Sequence, residues 1–414
     1  FDESGSNVTV DESMDKFLGK EVVAQILDAG FNVDFIDADA INSVGIPYRV
    51  LVLPNIDRLP VSTYERILAF ARKGGIVIAT KRLPATAPGL AQAAEQSAQI
   101  NAISQTLFHG DIPTAHRVER DDMLSATLAQ AAQPDMTLSP RTPAIGFIHR
   151  KIGGGDLYFV ANTSNKAQQA TAHFRDIAEH VESWDAFSGE VSGLPDAQQI
   201  DLNLAPYESR LLFFSNGAKP ATPEPPRRET VLADLSRQWT MALGEQGTGN
   251  TVDRLSSWTN DPKTKFYSGT ATYEKDLDLR SEQLAHPAKL FLDFGQGTPE
   301  ALPPPNSPHT MRAYLDPPVH EAAQIVVNGK SAGFVWRPPY RVDISAFVHP
   351  GPNHLRIVVG NTAINELAGQ PLPDYRLLWA RYGMRAVPQD MKDLRPLPSG
   401  LIGPITLVQS STAH

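Results

Sequence analysis

Two hydrophobic periods alternate along the first third of the chain. Met14–Ala29, MDKFLGKEVVAQILDA, spaces its apolar residues three and four apart, which predicts an amphipathic helix, and Gly30 follows where a helix needs a left-handed terminator. FNVDFID (31–37) then alternates as a short strand does. Tyr48–Pro54, YRVLVLP, and Ile76–Thr80, IVIAT, are unbroken apolar runs, the mark of strands covered on both faces. Between them lies STYERILAFARKGG. Ser62 and Glu65 have capping-box spacing there, and Gly74-Gly75 end the helix. Strand–helix–strand repetition predicts a parallel sheet with covering helices.

From about Ile145 the helical period disappears. IGFIHRKIGGGDLYFVANTS reads as strand, glycine turn, strand, and ESWDAFSGEV, QQIDLNL and SRLLFFS continue as short strands of a small antiparallel sandwich. Gly217–Arg228, GAKPATPEPPRR, has little that can pack and reads as a linker. Beyond it, SGTATYEKDLDL, AKLFLDFG, IVVNGKSAGFV and NHLRIVVGN are strands, and Asn328-Gly329 marks a type I′ hairpin turn. Jelly-roll closure of a second sandwich follows. The expected domains are 1–142 (α/β), 143–216 (small β-sandwich), 217–228 (linker) and 229–414 (jelly roll).

Composition narrows the chemistry. With 414 residues, several domains are expected. A net charge of −9 argues against nucleic acid as a partner, because that surface needs clustered Lys and Arg. No run approaches the ~20 apolar residues of a membrane helix, so no membrane insertion is expected. The absence of cysteine excludes disulfides, thiolate metal sites and thiol nucleophiles.

Three sets of segments together resemble the C-terminal, non-barrel half of the glycoside hydrolase family 106 α-L-rhamnosidases. They are ILDAGFNVDFIDADAI with YRVLVLPNIDRLP, ARKGGIVIA and PATAPGL; GFIHRKIGGGDLYFVANTSN with VESWDAFSGEV and LAPYESRLLFF; and YSGTATYEKDLDL with VVNGKSAGFVWRPPYRVDIS and RPLPSGLIGPITL. One departure is NTAINELAG (361–369), where the family pattern places a larger aromatic residue. The resemblance implies a truncated, class I glutamine amidotransferase-like α/β domain followed by two β-sandwiches, the last a galactose-binding-like jelly roll. It also implies a parent enzyme whose missing N-terminal barrel performs inverting hydrolysis of rhamnose-containing glycans with two carboxyl groups. Calcium in the parent family's catalytic domain and a periplasmic or extracellular location are implied in the same way. No catalytic residue carries over onto this chain, and no cofactor is expected within it. Without a cysteine nucleophile the amidotransferase-like part is expected to be catalytically degenerate.

The candidate contact residues are Trp336, Arg337, Tyr340 and Asn361. Aromatic faces suit the CH-rich faces of sugars, and an Arg fork suits hydroxyls or a barrel surface. The plain alternative is a corner in which Trp336 and Tyr340 pack while Pro338-Pro339 fix the chain. Trp184 and Asp185 read as core, and Glu366 and Asp374 as surface carboxylates. Asp278, Asp293 and Asp343 lack the dense spacing of a calcium loop. His149 and His173 read as ordinary strand residues, and the sequons at Asn7 and Asn162 as chance matches. The rival function is a free-standing carbohydrate-binding or scaffold protein.

Overall fold

The computed structural model describes residues 18–19, 21–89, 92–175, 178–195, 198–216, 227–244, 247–284, 288–304, 313–372, 374–383 and 393–412. The chain forms two compact units. One comprises Phe1–Ala161, Gln169–Asn203 and Ser209–Thr222, the other Asn162–Gln168, Leu204–Glu208 and Pro223–His414.

The first unit begins with α1 (Val22–Asp28), α2 (Ala38–Val44), β1 (Val50–Pro54), α3 (Val61–Arg72), β2 (Ile76–Thr80), α4 (Ala93–His109), β3 (Ala115–Val118) and α5 (Leu124–Ala131). The strands form the predicted parallel sheet in the order β1-β2-β3. All five residues of β2 are buried, as its apolar run predicts, because β2 is central and covered on both faces. Val77 and Ala79 join one core with Ile41, Tyr64, Ile67 and Leu107. Ile76 and Ile78 join the other with Val22, Ile26, Leu124 and Leu128. Gly30 ends α1 at φ +86°, and a Cβ there would lie 2.0 Å from the Met136 carbonyl oxygen, so only glycine fits.

Three local expectations are corrected. FNVDFID forms no strand: among the described residues its backbone has no ladder partner, and alternation alone cannot make one. The Ser62–Glu65 capping box does not form. The helix starts at Val61 with Pro60 in the cap position, so Ser62 already lies inside the first turn. Of the Pro-rich linker, 217–226 lies outside the described residues, and Arg227 and Arg228 already belong to a strand.

The same unit continues with β4 (Met136–Ser139), β5 (Ile145–Ile152), β6 (Gly155–Asn162), β7 (Gln168–Phe174), β8 (His180–Trp184), β9 (Val191–Leu194), β10 (Gln199–Leu204) and β11 (Ser209–Ser215). They make two sheets, β10-β7-β4 and β5-β6-β11-β8-β9. Tyr158 and Phe174 meet edge to face at 4.8 Å, and Phe214 closes on both rings at 5.3 and 4.8 Å.

The second unit holds β12 (Arg227–Asp234), β13 (Arg237–Leu243), β14 (Asn250–Arg254), β15 (Thr270–Leu279), β16 (Lys289–Asp293), β17 (Thr298–Pro299), β18 (Leu315–Asp316), β19 (Val319–His320), β20 (Ala322–Val327), β21 (Lys330–Val335), β22 (Arg341–Asp343), β23 (Gly351–Gly360), α6 (Ile364–Gly369), α7 (Arg376–Tyr382), β24 (Gly400–Leu401) and β25 (Thr406–Thr412). A four-stranded sheet, β12-β25-β16-β22, and a six-stranded sheet, β14-β13-β15-β23-β20-β21, share one apolar core. Trp239, Tyr273, Ile325, Leu355 and Ile357 are essentially inaccessible there. Strands β15 and β23 pair antiparallel along their whole lengths. Asn328 (φ +51°) and Gly329 (φ +79°) make the expected turn between β20 and β21.

Candidate functional site

Strand β21 lies at one edge of the six-stranded sheet, and the Trp336–Tyr340 corner follows it directly. Val335 turns into the core, while Phe334 and Trp336, two positions apart, stay 65% and 54% exposed. Arg337 Nη1 donates to the Pro338 carbonyl oxygen at 2.7 Å, which folds the guanidinium back onto the corner. Tyr340 points the other way and is buried. Burial, and then the charge of Glu321, push its phenol up to about 12. Trp336 is therefore exposed at the corner, Arg337 is half-buried beside it, and Tyr340 is buried beneath. Phe334 belongs with them and was not singled out from sequence. The burial alternation along β21 is broken by a bulge in that strand itself, where Ile325 pairs with Gly333 and Val326 with Ser331, leaving Ala332 as the extra residue.

Asn361 is placed elsewhere, just past the end of β23. Its Oδ1 accepts from Gly269 N at 2.8 Å, and its Nδ2 donates to Tyr267 O and Ser399 Oγ, both at 2.9 Å. Asn365, almost fully buried, donates to Leu397 O and Ser399 Oγ and accepts from Leu397 N. The two amides clasp the 397–399 segment, and their polar atoms are occupied within the fold.

A second exposed apolar surface lies on α7 and the residues before it. Leu372, Leu377, Leu378, Trp379 and Tyr382 are all at least 42% exposed.

In the first unit the structure assembles a charged cluster that no single stretch of sequence announces. His149 on β5 is nearly buried. Its Nε2 is 2.8 Å from Asp156 Oδ1, and its Nδ1 is 3.5 Å from Asp135 Oδ1. Arg175 Nη2 lies 2.5 Å from the same Asp135 oxygen, and Lys151 Nζ lies 3.8 Å from Asp156. The imidazole stacks on Tyr158 at 4.2 Å and 8°. Burial pulls the His149 pKa down, but hydrogen bonds and charge from Asp135 and Asp156 outweigh it, and the net shift is upward. With a carboxylate at each ring nitrogen, the doubly protonated ring is the form that satisfies both. Asp135, His149, Lys151 and Arg175 are among the polar residues lining an open pocket of about 760 Å³.

Most of the remaining sequence candidates lie within strands and turns. Trp184 Nε1 donates to Glu182, and its ring meets Phe213 at 4.7 Å. Asp185 accepts from the amides of Phe187 and Ser188 in a turn. Asp374 pairs with Arg376 at 2.6 Å, and Glu366 N donates to Ser268 Oγ. Asp293 and Asp343 accept from Gly295 N and Ser345 N. His173 lies in β7, opposite Thr137. Asn162 is buried and donates to Lys166 O and Ala205 O, while Asn7 lies outside the described residues. Among the described residues, no group of three or more His, Cys, Asp or Glu is arranged to hold a metal ion, and no helix is long and apolar enough to cross a membrane.

Comparison with known proteins gives these features a setting. Residues 17–195 match the family model described as alpha-L-rhamnosidase, glycoside hydrolase family 106. A putative beta-glucuronidase of Formosa agariphila is 30% identical over 119 residues, which are 28% of this chain and 8% of that protein. The structure of a rhamnosidase from Novosphingobium sp. PP1Y superposes on 87% of this chain with a TM-score of 0.64 at 24% identity, and the match spans 33% of that chain. The chain thus spans well under two thirds of the relatives it matches. In sequence over residues 17–195, and in fold over most of its length, it resembles the α-L-rhamnosidases of glycoside hydrolase family 106.

Proposed function

We propose that this chain is the accessory C-terminal region of a larger glycoside hydrolase that acts on rhamnose-containing glycans by inversion, and that it braces the catalytic barrel. The observation that carries this reading is the asymmetry of the rhamnosidase match: most of this chain corresponds to only 33% of that one. In this reading the three-layer α/β part is a degenerate amidotransferase-like layer, since the chain has no cysteine. The second unit is a galactose-binding-like jelly roll, and the parent enzyme is periplasmic or extracellular. The apolar surface on α7 faces the barrel, and Phe334, Trp336 and Arg337 border the glycan cleft or the barrel. Sequencing the gene upstream of the Phe1 codon tests the proposal. An open frame encoding strand–helix repeats of a barrel is the expected result. A start codon or processing site close to Phe1 would overturn it.

The exposed Phe334–Trp336 pair favours a second reading, a stand-alone carbohydrate-binding module. That reading requires measurable affinity of the isolated chain for rhamnose-containing oligosaccharides with no hydrolysis of an aryl α-L-rhamnoside.

A further inference from the structure

His149 links two parts of the first unit. It lies on β5, in the sheet β5-β6-β11-β8-β9. The segment after α1 reaches it through Asn32, whose Oδ1 accepts from His149 N at 2.6 Å and whose Nδ2 donates to Phe147 O at 3.0 Å. Asp135, between α5 and β4, is tied to the same segment, because its N donates to Gly30 O at 2.8 Å. Its carbonyl oxygen accepts from Arg175 N, just past β7, at 2.9 Å. Gly30, Asp135 and Arg175 are thus held together by their backbones, and the His149 side chain reaches Asp135 from β5.

The two ring nitrogens have different tasks. Nε2 meets Asp156 Oδ1 at 2.8 Å, and Asp156 lies on β6, the neighbour of β5 in the same sheet, so this bond stays within one strand pair. Nδ1 meets Asp135 Oδ1 at 3.5 Å, and this contact leaves the strand pair. At that distance it is held by charge more than by hydrogen-bond geometry. A neutral imidazole has a single N–H. The shorter contact keeps it, and Asp135 then faces a lone pair. Arg175 Nη2, 2.5 Å from the same Asp135 oxygen, remains as that carboxylate's counter-charge, so the loss falls on the tie to β5. On the other elements, Lys151 Nζ lies 3.8 Å from Asp156, Arg150 Nη1 donates to His149 O, and Tyr158 stacks on the ring. Asp34, Asp37 and Arg49 line the same pocket but are exposed and screened by water.

We propose that His149 is a proton-operated latch: protonated on both nitrogens it ties β5 to Asp135, and loss of the Nδ1 proton releases that tie while the β5–β6 pair stays intact. The latch is closed below the ordinary imidazole value of 6.5 and opens as pH rises through the raised value of the folded chain. Opening loosens the contacts that Asn32, Asp135 and Arg175 make beside β5, without unfolding either sheet. The inference rests on side-chain geometry inside the first unit and is independent of any carbohydrate role.

The test is native-state hydrogen exchange on the full chain at about pH 6 and about pH 9, each rate divided by that of the same amide in an unfolded chain at the same pH. The amides of Asp135, His149 and Arg175 report the latch, and those of Tyr158 and Val160 on β6 report the strand pair. The expected result is protection of the first set falling at least about tenfold at the higher pH while the second changes less than about twofold. His149→Gln keeps a donor for Asp156 and cannot titrate, so its protection should not depend on pH. Equal protection of the first set at both pH values, or an equal fall in both sets, would overturn the proposal. So would the same fall in His149→Gln, which would assign it to other groups. The wild-type comparison decides the matter if that variant fails to fold. Nitrogen shifts of the imidazole at the higher pH should place the remaining proton on Nε2, and a proton found on Nδ1 would overturn the assignment of the latch to that atom.

Discussion

The two units solve the problem of burying a sheet differently. In the second unit, both edges of the six-stranded sheet's central strands are paired and one face of each is buried. β15 is paired on both sides, and Trp239, Tyr273 and Ile357 fill the shared core. In the first unit β2 is likewise paired on both edges, but among the described residues β1 has one paired edge, and its other side lines an open pocket of about 760 Å³. The second unit exposes apolar residues on α7 and at the β21 corner, and the first unit gathers apolar residues along an open pocket beside β1.

Core truncation should separate the units most strongly. Ile325→Ala removes a side chain packed on all sides and should cost about 4 kcal/mol, whereas Leu53→Ala, beside space that is already open, should cost about 2 kcal/mol. Chemical denaturation of the two variants checks this, and equal losses would mean that β1 is packed as tightly as β20.

Acid–base behaviour should differ next. His149 is held above its ordinary value in the folded first unit. A raised folded pKa contributes stability that is complete below the unfolded value of about 6.5 and is lost as pH rises through the folded value. The first unit should therefore melt at a lower temperature at pH 8–9 than at pH 6, and His149→Gln should flatten that slope. A variant with the slope intact would assign it to other groups.

The smallest effect concerns the corner. Trp336→Ala should change stability by less than about 0.5 kcal/mol, because the ring is more than half exposed. A loss of several kcal/mol would show that the ring is a packing residue after all.

Legibility from sequence followed the range of the interactions. Buried strands such as IVIAT and the Asn328-Gly329 turn were readable, because an apolar run or a positive-φ pair is a local property. The His149 cluster was not, since Asp135, Asp156 and Arg175 reach it from separate segments and a lone histidine carries no signal. FNVDFID shows the converse failure: its alternation was correctly seen, but pairing depends on a neighbour that the segment does not specify. Of the four candidate contact residues, Trp336 is exposed, Arg337 is half-buried beside it, Tyr340 turns inward, and Asn361 serves a distant clasp. Sequence gives the side-chain type but not the direction a loop turns it.

Native-state hydrogen exchange on the unmodified chain tests the contrast most directly. Amides of β1 should exchange orders of magnitude faster than those of β15 and β23, with β2 between them, because an open edge beside a cavity can open locally without global unfolding. Equal protection of β1 and β15 would contradict the account, since it would mean that the first unit's sheet is already complete.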